Sequence, residues 1–114
     1  MSALLNDWLH KHTRLPGVLA GGIGYPDHTL VVQPYGDHFP PEALENTWRC
    51  IADTYEVMNL HRFPPIELHW IYAQAQLYCV RRPDKIFLGL LISNEPGAID
   101  QAEVKDLFAD FKAQ

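Results

Sequence analysis

Serine is almost missing from these 114 residues: Ser2 and Ser93 are the only two. Neither stands in a nucleophile-elbow sequence, which removes the usual setting for serine-based covalent catalysis. Cysteine is equally sparse. Cys50 and Cys79 form no CxxC pair, and each lies inside an apolar periodic segment, so both are expected to be buried free thiols in a reducing compartment. Basic residues number 9 against 14 acidic ones, for a net charge of −5. The densest basic group, Arg81, Arg82 and Lys85, falls at a turn rather than along a stripe. Nucleic-acid binding needs a positive surface that releases counterions, so no nucleic-acid partner is expected. The longest apolar run, Ile86 to Ile92, is too short to cross a bilayer, and Met1 to Asp7 lacks the basic start and apolar core of a signal peptide. No membrane partner is expected, and the expected location is cytoplasmic.

What is present suits one globular domain spanning residues 1–114. Hydrophobic residues make up 47% and charged residues 20%, and a chain of this size buries roughly two-thirds of its unfolded surface without staples. Leu4, Leu5, Trp8, Leu9 and His12 recur at helical spacing and predict a helix over about 3–13. Pro16-Gly17 ends it, and Val18 to Gly24 reads as a strand of small apolar residues. Tyr25-Pro26-Asp27-His28 carries turn chemistry, after which Thr29 to Gln33 is the β-branched return strand of a hairpin. Residues 34–41, with Pro34, Pro40 and Pro41, form a loop whose final prolines suit a helix entrance. Leu44, Trp48, Ile51, Tyr55 and Met58 then make one continuous stripe on a helix of about 18 residues, with Glu42, Glu45, Arg49, Asp53 and Glu56 off the stripe.

Three strands follow Pro64-Pro65: Ile66 to Ala73, Gln76 to Arg82 and Ile86 to Ser93. The first alternates Ile66, Leu68, Trp70 and Tyr72 against Glu67, His69 and Ile71. The third is apolar on both faces, which places it centrally in a sheet covered on both sides. Asp100 with Glu103 gives a capping pattern for a last helix bearing Val104, Leu107, Phe108 and Phe111. The order α-β-β-α-β-β-β-α with short turns predicts a three-layer α/β/α sandwich around a five-stranded, mainly antiparallel sheet.

Chemistry-bearing residues are scattered. His10 and His12 diverge by about 200° on a helix, the wrong geometry for one metal. His28 and His38 fall in separate loops, His61 follows the long helix, and His69 lies on a strand. No zinc spacing, no nucleophile–base pair and no phosphate-loop lysine beside Gly21-Gly22 is present, so no catalytic residue, metal or cofactor is expected. The glycines suit close helix-on-sheet packing instead. Trp48, Tyr55, Trp70 and Tyr72 are rich material for an interface as well as a core.

The element order, read with Leu15-Pro16-Gly17-Val18, the strand Val18 to Ile23, the return strand Thr29 to Val32, the helix containing Trp48 and Ile51, and the turn Arg82 to Lys85 before Phe87 to Leu91, resembles the Roadblock / dynein light chain family. The resemblance covers nearly the whole chain; it departs at Tyr25 to His28, where that family commonly has an Asp-Gly turn. It implies a fold of profilin-like or Roadblock-like topology that dimerises by joining sheet edges and acts as a scaffold or regulator for small GTPases or motor complexes. It brings no catalytic residues. On this reading the strand Ile66 to Ala73 is an edge paired with its own copy, with Ile66, Glu67, Leu68, His69, Trp70, Ile71 and Tyr72 at the junction and Trp48 and Tyr55 meeting the partner's helix. Glu45, Arg49, Asp53 and Glu56 form the docking face for a small GTPase. The alternatives are a ligand-binding sensor, which would leave a hollow between helix and sheet, and an enzyme subunit with a composite site at the dimer interface.

Overall fold

A computed structural model describes residues 3–37, 39–63 and 65–114. Ser2, His38 and Pro64, each singled out above, lie outside the described residues. The elements run α1 (Ala3–His12), β1 (Val18–Gly24), β2 (Leu30–Pro34), α2 (Pro41–Leu60), β3 (Glu67–Ile71), β4 (Ala75–Arg81), β5 (Phe87–Ser93) and α3 (Gln101–Ala113). The strands form one antiparallel sheet in the order β2-β1-β5-β4-β3. β5, apolar on both faces, sits at the centre, and β2 and β3 are the two edges.

Two apolar clusters flank the sheet. Leu5, Trp8 and Leu9 of α1 and Val104, Leu107 and Phe111 of α3 pack on one face against Ile23, Leu88 and Leu90. Leu44, Trp48, Ile51 and Tyr55 of α2 pack on the other against Ala20, Leu77, Cys79 and Leu91. The expected three-layer sandwich is the observed one, two helices on one face and one on the other. The first helix is rotated from its expected stripe, for Leu4 is 82% exposed while Leu5 and Leu9 are buried.

The glycines of β1 explain the close layers. Side chains alternate across a strand, so a Cβ on Gly21 would press on Thr13 at the end of α1, whereas one on Gly22 would collide with the indole of Trp48. Gly22 pairs with Gly89 of β5, and a Cβ there would also lie 2.8 Å from Trp48 Nε1. The Trp48 ring therefore rests on a cross-strand glycine pair. The hairpin from β1 to β2 closes without an Asp-Gly turn. His28 takes the left-handed φ of 71°, and the Asp27 carboxylate accepts from the Thr29 amide at 3.0 Å. Those bonds to Thr29 hold the Asp27 carboxyl below the ordinary range. Pro40 and Pro41 stand at the N-cap and first turn of α2, where no backbone donor is needed. Asp100 caps α3 by accepting from Ala102 and Glu103 amides at 2.9 and 3.3 Å.

Candidate functional site: the open β3 edge and the outer face of α2

β3 is held to the sheet from one side only. Arg81 N donates to Ile66 O at 2.9 Å, and Tyr72 N donates to Ala75 O at 2.9 Å. Hydrogen-bonded pairs alternate along an antiparallel ladder. In the observed register, Leu68 opposite Cys79 and Trp70 opposite Leu77 therefore continue that bonded set. The backbone amides and carbonyls of Glu67, His69 and Ile71 are left facing outward from the edge. Ile66 and Tyr72 flank the strand rather than belonging to it, so it is shorter than the expected Ile66 to Ala73, the chain turning into β4 at once.

The side chains of this edge divide by face. Leu68 and Trp70 are half-buried against the α2 cluster, and Ile66 and Tyr72, 66% and 46% exposed, extend that row beyond both ends. Glu67, His69 and Ile71 are exposed on the opposite side, Ile71 at 74%. His69 stacks on Tyr78 with ring centroids 4.0 Å apart, and its Nε2 lies 2.8 Å from Gln76 Oε1. Because the Tyr78 hydroxyl already donates to that oxygen, at 3.0 Å, Gln76 Oε1 is an acceptor and His69 Nε2 carries hydrogen. Lysine and proline, the usual guards of an edge, are missing from β3.

Two expected interface residues are elsewhere. Trp48 is fully buried and Tyr55 is 3% exposed, both beneath α2 against their own sheet. They fill the core, so neither is available to a partner's helix. Helical periodicity reports which residues share a face but not whether that face meets the same chain or another. Burial pushes the Tyr55 phenol well above its ordinary value, with Cys79 adding to the effect, and Tyr55 Oη and Trp48 Nε1 have no hydrogen-bond partner among the described residues. The cysteines also separate: Cys79 is buried, its thiol pushed far up by desolvation, whereas Cys50 is exposed on α2, against the expectation that both are buried. Cys50 lies one step beyond the Leu44–Tyr55 stripe, which turns it to the helix flank.

The outer face of α2 is as expected. Glu45, Arg49, Asp53 and Glu56 are all exposed, and Arg49 bridges to Glu45 at 3.2 Å. Such an exposed pair adds little to stability. Along the flanks of α2 the helix does not seal against the sheet. One apolar hollow of about 340 Å³ is lined by Phe39, Ala43, Thr47, Tyr72, Ala75 and Leu91, and another of about 190 Å³ by Cys50, Trp70 and Leu77. Among the described residues no group of three or more His, Cys, Asp or Glu is placed to hold a metal, and no helix is long and apolar enough to cross a membrane.

An α/β/α sandwich with one long crossover helix and a bare edge strand defines the class: the chain has the Roadblock/LC7 fold. It is similar to a Roadblock/LC7 domain from Streptomyces avermitilis, with a TM-score of 0.68, 12% identity, and 95% of this chain and 91% of that one covered. It is similar also to MglB of Myxococcus xanthus, with a TM-score of 0.65 and 10% identity over 97% of this chain and 94% of that one. A structure described as MglB with tetrameric arrangement gives a TM-score of 0.66 and 13% identity, over 93% of this chain and 80% of that one. No family model matches the sequence, and no curated protein matches it.

Proposed function

We propose that this chain is a non-catalytic scaffold or regulatory subunit, a symmetric homodimer joined through β3 whose paired α2 helices dock a small GTPase. The observation that carries the reading is the bare β3 edge, apolar at both ends and without lysine or proline along its length. A two-fold pairing centred on His69 satisfies all the outward amides and carbonyls at once. On the α2 side it sets Ile66 of one copy against Tyr72 of the other, and Leu68 against Trp70. These are non-hydrogen-bonded pairs, where side chains approach most closely. On the other side it sets Glu67 against Ile71. A shift by two residues leaves Ile66 or Tyr72 without an apolar partner, so the centred register buries the most exposed surface. Continuity of the sheet across the junction also brings the two α2 helices side by side, presenting Glu45, Arg49, Asp53 and Glu56 twice on one surface. That a similar fold is described in a tetrameric arrangement supports self-association as a use of this architecture.

Light scattering at micromolar concentration tests the dimer: a monomeric wild type ends the reading. Co-purification with a GTPase encoded by a neighbouring gene, using wild type and a helix with Glu45, Arg49, Asp53 and Glu56 reversed in charge, tests the docking face. Retained binding after reversal moves the GTPase elsewhere. The 340 Å³ apolar hollow beside Phe39 and Tyr72 favours a second reading, a sensor for an apolar small molecule; saturable binding of such a ligand, lost in Ala43→Trp, supports it.

A further inference from the structure

The chain is acidic, yet its cations are unevenly spent. At the end of the sheet where α2 and α3 both finish, a hollow of about 520 Å³ is lined by Arg81, Arg82, Lys85, Lys112, Asn59 and Ile66, with no carboxylate among its lining residues. Four of the 9 lysines and arginines thus meet at one corner. Arg82 is occupied structurally. It bonds Asp84, donates to the carbonyls of Phe111 and Gln114 at 3.4 and 3.2 Å, and lies over the Phe111 ring. It thereby caps the C-terminal end of α3. The other three are not absorbed in this way. Arg81 lies over the Tyr55 ring at 5.3 Å, and neither it nor Lys85 makes an ion pair among the described residues. Among the described residues Lys112 pairs only with Glu67, at 3.9 Å on the exposed surface.

Arg81, Lys85 and Asn59 also line a second hollow of about 250 Å³, which continues to Tyr25 and His28 and holds one carboxylate, Glu56. Arg81 and Lys85 line both hollows and Lys112 only the first, so the cations border one elongated groove running through the two. A single oxyanion meets only part of such a row, whereas an extended acidic chain meets its members in succession. Ile66, 66% exposed, lines the same hollow as the cations together with Pro65 and Pro83, and adds apolar surface beside the charge.

We propose that this corner, with Arg81, Lys85 and Lys112 as its contacts, is a docking groove for an acidic, extended segment of a protein partner that also carries apolar side chains. It lies beside the β3 junction, so a dimer presents two copies, and it does not depend on the dimer to form.

The probe is a fluorescein-labelled peptide of alternating glutamate and leucine, added to the full chain at low salt and followed by anisotropy. Saturable binding that weakens as salt rises is expected, falling about tenfold or more in the Lys85→Glu, Lys112→Glu variant. A Lys11→Glu, Lys105→Glu variant changes net charge equally at remote sites and is expected to bind as wild type does. Circular dichroism and scattering mass confirm that both variants keep fold and assembly. The proposal is overturned by absent binding or by equal loss in the two variants. It is overturned too by displacement of the peptide by millimolar inorganic phosphate, or by binding only to vesicles containing phosphatidylserine.

Discussion

The two edges of the sheet are each five residues long and differ in nearly everything else. β2 is packed from both faces: Leu30 and Val32 join the α2 cluster, while Val31 and the following Tyr35 join the α1/α3 cluster. Every residue of β2 is half-buried, and Pro34 at its end offers no donor. β3 is packed from one face alone, and Glu67, His69 and Ile71 stand exposed on the other. An edge is protected by layers on both faces and by a missing donor as much as by charge, and only β2 has these protections.

The sharpest way to break the contrast is proline at each edge. In Ile71→Pro the lost amide faces outward, so no bond to β4 goes with it; the scattering mass is expected to halve while far-UV circular dichroism is unchanged. A dimer surviving this change places the interface elsewhere. In Val32→Pro the lost amide also faces outward, because Ile23 and Gly21 bond Val31 and Gln33. Here the mass is expected to stay the same. Lost packing in the α2 cluster costs about 1–3 kcal/mol, read as a lower denaturant midpoint; a halved mass refutes the protected reading of β2. A gentler test is Ile71→Lys, which adds to β3 the guard it lacks. The dissociation constant is expected to rise about tenfold, measured by sedimentation across a dilution series.

The smallest effect belongs to neither edge. Asp84, in the turn between β4 and β5, has its carboxyl held below the ordinary range chiefly by its hydrogen bond to Arg82. A depressed folded pKa contributes stability above the unfolded value and loses it as pH falls through the folded one. Asp84→Asn is therefore expected to melt slightly lower than wild type at pH 7, with the difference closing below about pH 4. An unchanged difference at pH 2.5 refutes the link.

Much of this is legible in the residues. The 3.6-residue period from Leu44 to Tyr55 marks the inner face of α2, and the two-sided apolar run from Phe87 to Ile92 marks the central strand. The alternation from Ile66 to Tyr72, following a crossover helix, marks β3 as an edge. The misplacements share a cause. Cys50 adjoins the buried stripe and reads as part of it, and Leu4 stands next to Leu5; on a helix one position is a turn of about 100°, enough to move a side chain from core to water. Trp48 and Tyr55 read as rings offered to a partner, although β1 and β5 set Gly22 and Gly89 opposite each other and leave a floor for the indole. Gly21-Gly22 signals close packing locally, but not that Gly22 meets Gly89, because the two glycines come from strands far apart in the chain. The basic corner is hidden for the same reason: Lys112 is distant in sequence from Arg81 and Lys85.

Local periodicity and turn chemistry thus determined by themselves the kind of each element and the inner face of α2, because these depend on neighbours three or four positions away. Only the tertiary structure decided which aromatics fill the core and which cations gather at one corner. Those outcomes depend on register and on the ends of separate elements meeting in space, and a one-dimensional spacing carries neither.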